Sequence, residues 1–128
     1  MLNVNVYIDK AVENCSTFID TATIMNYMYN GEQHKKMKNS LHLCLLNGCK
    51  AILLKYGANF GCCSEDDIIQ YTINNFNCAS GIAQILEKEK IWNLAVRVRN
   101  KSYYRQLDHM IGCDLRHFVD FLNEEIRV

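Results

Sequence analysis

The sequence predicts an all-α protein, a single up-and-down bundle of four to five helices in which residues 1–128 make one domain. Apolar residues recur every three to four positions along nearly the whole chain, the period of an amphipathic helix. No sustained run alternates apolar with polar residues as a half-buried strand would. The 128 residues also contain no proline, a residue that helix interiors exclude at a cost of about 3 kcal/mol and that turns and sheet edges use freely.

The first stripe covers residues 4–29, through Val4, Ile8, Ala11, Val12, Cys15, Phe18, Ile19, Ala22, Met25 and Met28. Thr21 and Thr23 predict a weakening of this helix, because β-branched residues lose side-chain freedom in it. Asn30-Gly31 then reads as its left-handed C-cap. The second helix is expected over Glu32–Tyr56, with Met37, Leu41, Leu45, Cys49, Ile52, Leu53 and Tyr56 on one face and His34, Lys35, Lys36 and Lys38 on the other. Gly48 within it costs about 1 kcal/mol relative to alanine, which predicts close approach of another helix there. Gly57 ends it.

Residues 57–63, GANFGCC, form a glycine-punctuated loop that exposes Cys62 and Cys63. Ser64 follows as an N-cap, with Glu65, Asp66 and Asp67 at the positive end of a helix dipole. Ile68, Ile69, Thr72, Ile73 and Phe76 mark a short third helix, and Ser80 is expected to cap a fourth running from Gly81 to about Val98. Trp92 is the expected core anchor of that helix, and Glu87–Lys90 faces solvent or bends it. The last stretch, Tyr104–Val128, is helical with a break expected at Gly112. Asp114 would cap a final helix whose stripe is Leu115, Phe118, Val119, Leu122 and Ile126.

Composition narrows the function classes. A 49% hydrophobic, 22% charged chain of this length buries a core without help from metals or disulfides. Lys+Arg and Asp+Glu are both 14, so no global positive field draws the chain to duplex DNA or an anionic membrane. The N-terminal MLNVNVYIDKAVENC has neither a basic leader nor an uninterrupted apolar run. No stretch reaches the roughly 20 apolar residues of a membrane span, and a cytoplasmic protein is expected. The seven cysteines form no C-x-x-C pair and the four histidines no H-x3-H pair, so neither a zinc site nor any cofactor is expected and the thiols read as reduced.

Signatures of hydrolases, phosphate-loop proteins, zinc proteases and dinucleotide binders are absent. Asp66/Asp67 and Glu124/Glu125 read as helix-end carboxylates, and His34, His42 and His117 as surface or boundary residues. One segment, Arg97–His109, mixes cations, aromatics and an imidazole. Arg97, Arg99, Asn100, Tyr103, Tyr104 and Arg105 are the candidate nucleotide- or RNA-binding residues. Guanidinium groups fork onto phosphate oxygens and tyrosine faces stack on bases. Arg105 and His109 are four apart and share a helical face, where a cation and an imidazole could neutralise a phosphate and move a proton.

Two stretches, LHLCLLNGCKAILLKYG (Leu41–Gly57) and IWNLAVRVRN (Ile91–Asn100), resemble the HEPN domains of prokaryotes. The resemblance implies a small helical bundle, often dimeric, from toxin–antitoxin, nucleotidyltransferase or defence systems. Its active members cleave RNA with an Arg, a polar residue and a His four to six residues after the Arg. Arg99 and Asn100 match the opening of that motif. Tyr104 stands where the commonest spacing places the histidine, and His109 comes too late. The expectation is a non-cleaving relative that binds a nucleotide, RNA or a partner protein; Arg99 and His109 are the catalytic candidates should the chain be a metal-independent ribonuclease. The alternative is a viral-type helical-bundle effector acting purely by protein–protein interaction. A homodimer is expected in either case, paired through the first or last helix.

Overall fold

The computed structural model describes residues 3–25, 30–61 and 63–128. It is an all-α bundle of α1 (Val4–Met25), α2 (Gly31–Lys55), α3 (Glu65–Asn75), α4 (Ser80–Arg97) and α5 (Lys101–Phe121). A 3₁₀ turn, Asn77–Ala79, joins α3 to α4, and a π-helical turn, Leu122–Ile126, continues α5. No strand occurs among the described residues. None of their helices is long and apolar enough to cross a membrane.

α1 runs through its threonines without a break. The hydroxyls of Thr21 and Thr23 donate to the carbonyls of Thr17 and Ile19 one turn earlier, at 2.7 and 3.1 Å, so each is satisfied inside the helix. Met28, at the end of the first apolar stripe, lies outside the described residues, as does Cys62 of the loop. Asn30-Gly31 starts a helix instead of ending one. Asn30 has extended backbone, its side chain accepts from the backbone N–H groups of Glu32 and Gln33, and Gly31 is the first residue of α2. An asparagine side chain is as strong an N-cap as it is a left-handed C-cap, and here the cap geometry prevails.

α2 is the spine of the bundle, packing on α1, α3 and α5. All six residues from Cys44 to Cys49 are buried, so this part of the helix is covered on every side. Gly48 is the reason α5 can come so close: a Cβ built there would lie 2.3 Å from Cε2 of Phe118. Gly57, at φ +76°, closes α2 as expected, its N–H reaching Leu54 O and that of Ala58 reaching Leu53 O.

Ser64 caps α3, accepting from Asp67 N at 3.2 Å. Ser80 does not cap α4. The 3₁₀ turn leads straight into the helix, Ala79 takes the cap position, and no side chain bonds there. α4 is unbroken across Glu87–Lys90, where Lys88 pairs with Asp114 of α5. α5 in turn is continuous through Gly112, which leaves Asp114 mid-helix as a cross-helix partner and not a cap. The core is built around Trp92, Phe18, Leu41, Leu45, Ile52 and Ile111, all at most 1% exposed. Burying each such side chain fully contributes about 1.5–3 kcal/mol.

Candidate functional site

The α4–α5 corner places the residues singled out from sequence, and their backbone explains several of them. Arg99 N bonds to Val96 O and Asn100 N to Ala95 O, the paired bonds that close a helix through a left-handed residue. That residue is Arg99, at φ +59°, in a position usually given to glycine. Asn100 then caps α5, its side-chain oxygen accepting from Tyr103 N at 3.2 Å. The Arg99-Asn100 pair is thus the hinge of a three-residue helix–helix turn, with the asparagine carbonyl engaged. Arg97, Arg99, Tyr103 and Arg105 are exposed. Tyr104 differs: it is 2% exposed in the core, because it begins the buried stripe of α5, and its ring faces are not open to a base.

Arg105 and His109 do come together, one turn farther along, on the face of α5 that meets α1. They border an open hollow of about 200 Å³ together with Arg116 and Cys113, walled on the α1 side by Ile19 and Thr23. Positions 105, 109, 112 and 116 follow the helical repeat, so one face presents two guanidinium groups and an imidazole in a row, with Gly112 leaving space between them. His109 Nε2 lies 3.7 Å from Cys113 Sγ. Arg116 makes no ion pair among the described residues.

Asp108 also borders this hollow, and it is the unusual group of the site. Its residue is 4% exposed. Oδ1 accepts a hydrogen bond from the indole N–H of fully buried Trp92, while Oδ2 is buried without a partner. Burial pushes this carboxyl up to about 6 from its ordinary 3.8, against the opposing pull of the Trp92 hydrogen bond and the Arg105 charge. The His34 ring packs edge-on to the same indole at 4.8 Å between centroids. His34 is half-buried and not a surface residue as its sequence position suggested. Burial holds its imidazole below the ordinary histidine range. Gln33 Oε1 is likewise buried without a partner among the described residues, and His34 Nε2 and Asn93 Oδ1 make no bond of ordinary geometry, although Asn93 lies near enough to oppose the effect of burial on the imidazole. A chain of contacts therefore links α2, α4 and α5: His34 to Trp92 to Asp108.

His42 pairs with Glu65 at 2.6 Å and His117 is exposed, as befits boundary residues. Among the described residues no group of three or more His, Cys, Asp or Glu side chains is placed to hold a metal ion. Sequence reasoning missed Asp108 and Arg116. Both had a signal: Tyr104, Leu107, Asp108, Ile111 and Leu115 form one buried stripe, so Asp108 is a carboxylate in core register, and Arg116 falls seven residues after His109 on the hollow-facing side. No protein-family model, curated protein or solved structure matches the chain.

Proposed function

We propose that this chain is a HEPN-like helical domain that holds a phosphate group of a nucleotide or RNA in the hollow between α1 and α5 and does not cleave it. The observation that carries the reading is the convergence of Arg105, His109 and Arg116 on one hollow beside a buried carboxyl. Guanidinium groups suit phosphate because their planar fork matches its oxygens and their charge is permanent. Arg97 and Arg99 extend the positive surface toward the α4–α5 corner, where a longer RNA would run. In such a domain the cytoplasm and a toxin–antitoxin, nucleotidyltransferase or defence setting are the expected context.

Fluorescence anisotropy with labelled RNA tests this. Arg105→Ala and Arg116→Ala should each weaken binding and lower the salt slope by about one; unchanged binding in both rejects the site. Incubation with the same RNA tests the second half of the proposal. Cleavage lost in His109→Ala would make the chain a ribonuclease.

A second reading takes the chain as a bundle of the viral-effector kind, acting purely by protein–protein contact. It is favoured by Ile91, Leu94 and Val98, which are 45, 56 and 63% exposed and at three- and four-residue spacing make an apolar stripe on α4. This surface, and not the first or last helix, is where we place the homodimer contact. Light scattering should give the mass of two chains, falling to one in Leu94→Glu. A helical partner retained at high salt, with no RNA bound, would favour the second reading over the first.

A further inference from the structure

The hollow that holds the proposed phosphate site does not stop at Arg116. A second hollow, of about 470 Å³, continues it along the seam between α1 and α5, and the two share Ile19 and Arg116 as lining residues. Residues 12, 16, 19 and 23 line this trough from α1, and residues 105, 109, 112, 116 and 120 line it from α5. Both sets step by three and four, so each is one face of its helix. Charge along the trough changes sign at Arg116. Toward the α4–α5 corner lie His109 and Arg105, with Arg97 and Arg99 beyond; on the other side lie Asp20 of α1 and Asp120 of α5. Arg116 is the one cation bordering the second hollow, and it pairs with neither carboxylate among the described residues.

That change of sign bears on which phosphate of a strand can sit at Arg116. An internal phosphodiester has another phosphate on each side of it, whereas a terminal one has a neighbour on one side only. Arg116 and Asp120 are four residues apart, about 6 Å along the helix axis. A strand that ran on past Arg116 would therefore bring its next phosphate between the two carboxylates. One like-charge pair at about 6 Å in water weakens binding about threefold, and two weaken it about tenfold. A terminal phosphate avoids this repulsion. It also carries a charge of about −1.5 to −2 near neutral pH and three acceptor oxygens, one charge and one oxygen more than a diester offers a guanidinium fork.

Resting on the phosphate reading above, we infer that the hollow takes the terminal phosphate of a single-stranded RNA. Arg116 holds that phosphate, the strand leaves over His109 and Arg105 toward the α4–α5 corner, and Asp20 and Asp120 bar an internal phosphate from the same place. Specificity here comes from a repulsive element beside an attractive one, the usual way for a site to reject a close relative of its ligand.

Fluorescence anisotropy of the full chain at low salt, where surface charges are least screened, tests the inference with one RNA sequence in three forms: linear with a 5′-monophosphate, linear with a 3′-monophosphate, and closed into a circle. The circle has only internal phosphates. At least one linear form should bind about tenfold or more tightly than the circle, and which one does so tells the end that is held. In Asp20→Asn/Asp120→Asn the circle should gain about tenfold on that linear form. Equal wild-type affinity for all three forms, with Arg116→Ala weakening each, overturns end selection and leaves the phosphate site standing. No binding of any form overturns both. A gap between linear and circular RNA that persists unchanged in the double variant overturns the two carboxylates as the barrier. The wild-type comparison decides end selection even where the double variant fails to fold.

Discussion

Replacing Asp108 with asparagine should change how the stability of the bundle depends on pH. The carboxyl titrates at about 6 in the folded chain against an ordinary 3.8. Between those values the folded state binds more protons than the unfolded one, so wild-type stability falls as pH rises from about 4 to about 6 and is flat above. At about 1.4 kcal/mol for each tenfold change in proton affinity, the loss is about 2–3 kcal/mol. Asp108→Asn does not titrate, and its carbonyl can still accept from Trp92. The new amide is itself a buried donor, which costs roughly 1–3 kcal/mol, but that cost is the same at every pH and cancels from a difference of differences. Urea unfolding followed by the fluorescence of Trp92, the only tryptophan, should therefore show the variant gaining about 2–3 kcal/mol on wild type between pH 4 and pH 8. A gap constant to within about 0.5 kcal/mol across that range, or one that moves the other way, refutes the account of Asp108 as a carboxyl penalised by burial.

The two mid-helix glycines should respond oppositely to alanine. Gly48→Ala drives a methyl into the Phe118 ring and should lose about 1–3 kcal/mol, whereas Gly112→Ala meets only Ile19 Cγ1 at an ordinary 3.5 Å and should gain about 0.5–1 kcal/mol of helix propensity; equal effects in denaturant unfolding would contradict the packing. At the α4–α5 turn, Arg99→Gly should be more stable than Arg99→Ala by about 1 kcal/mol, since both remove the side chain and only glycine relieves the left-handed backbone. Equal midpoints would argue against that conformation. Exposed Cys63 and Cys113 should react with a disulfide reagent in the folded protein, while Cys49, whose thiol burial pushes up to about 12, should react only on unfolding. Prompt labelling of Cys49 would place α2 wrongly.

The architecture was legible because one physical variable, the spacing of apolar side chains, reports it directly. Met37, Leu41, Leu45 and Ile52 point to the same side of α2 in any helix, and the absence of proline left their register uninterrupted. Boundaries were less legible where one residue type serves two ends. Asn30 satisfies an N-cap or a left-handed C-cap, and only the direction of its side chain chooses. Asp114 and Ser80 have the chemistry of caps, but whether a helix starts beside them depends on neighbours distant in sequence, such as Lys88 for Asp114. In the site, Arg105 and His109 share a face by local periodicity alone. The hollow beside them needed Ile19 and Thr23 from α1, over 80 positions earlier, a relation that no local pattern carries. Tyr104 shows the opposite difficulty. Its neighbours are polar and basic, yet it belongs to the stripe that continues through Leu107 and Ile111, and burial follows the stripe and not the neighbours.

The polar cost of this fold is concentrated around one side chain. The His34 ring and the Asp108 carboxyl both meet Trp92, and each carries a buried atom without a hydrogen bond of ordinary geometry among the described residues. Each such atom costs roughly 1–3 kcal/mol, a large share of the 5–15 kcal/mol by which domains are typically stable. Asp108 is the one of these that borders the hollow between α1 and α5, so that hollow is where a ligand can act on the same end of α5. A phosphate-bearing ligand held by Arg105 and Arg116 at that hollow would bind the folded chain alone, and at 100 times its Kd it would add about 2.7 kcal/mol. The midpoint of thermal unfolding should accordingly rise with saturating RNA by several degrees, and the rise should be smaller in Arg116→Ala. An equal rise in both proteins would mean that the bound molecule draws nothing from Arg116 and does not sit in the hollow between α1 and α5.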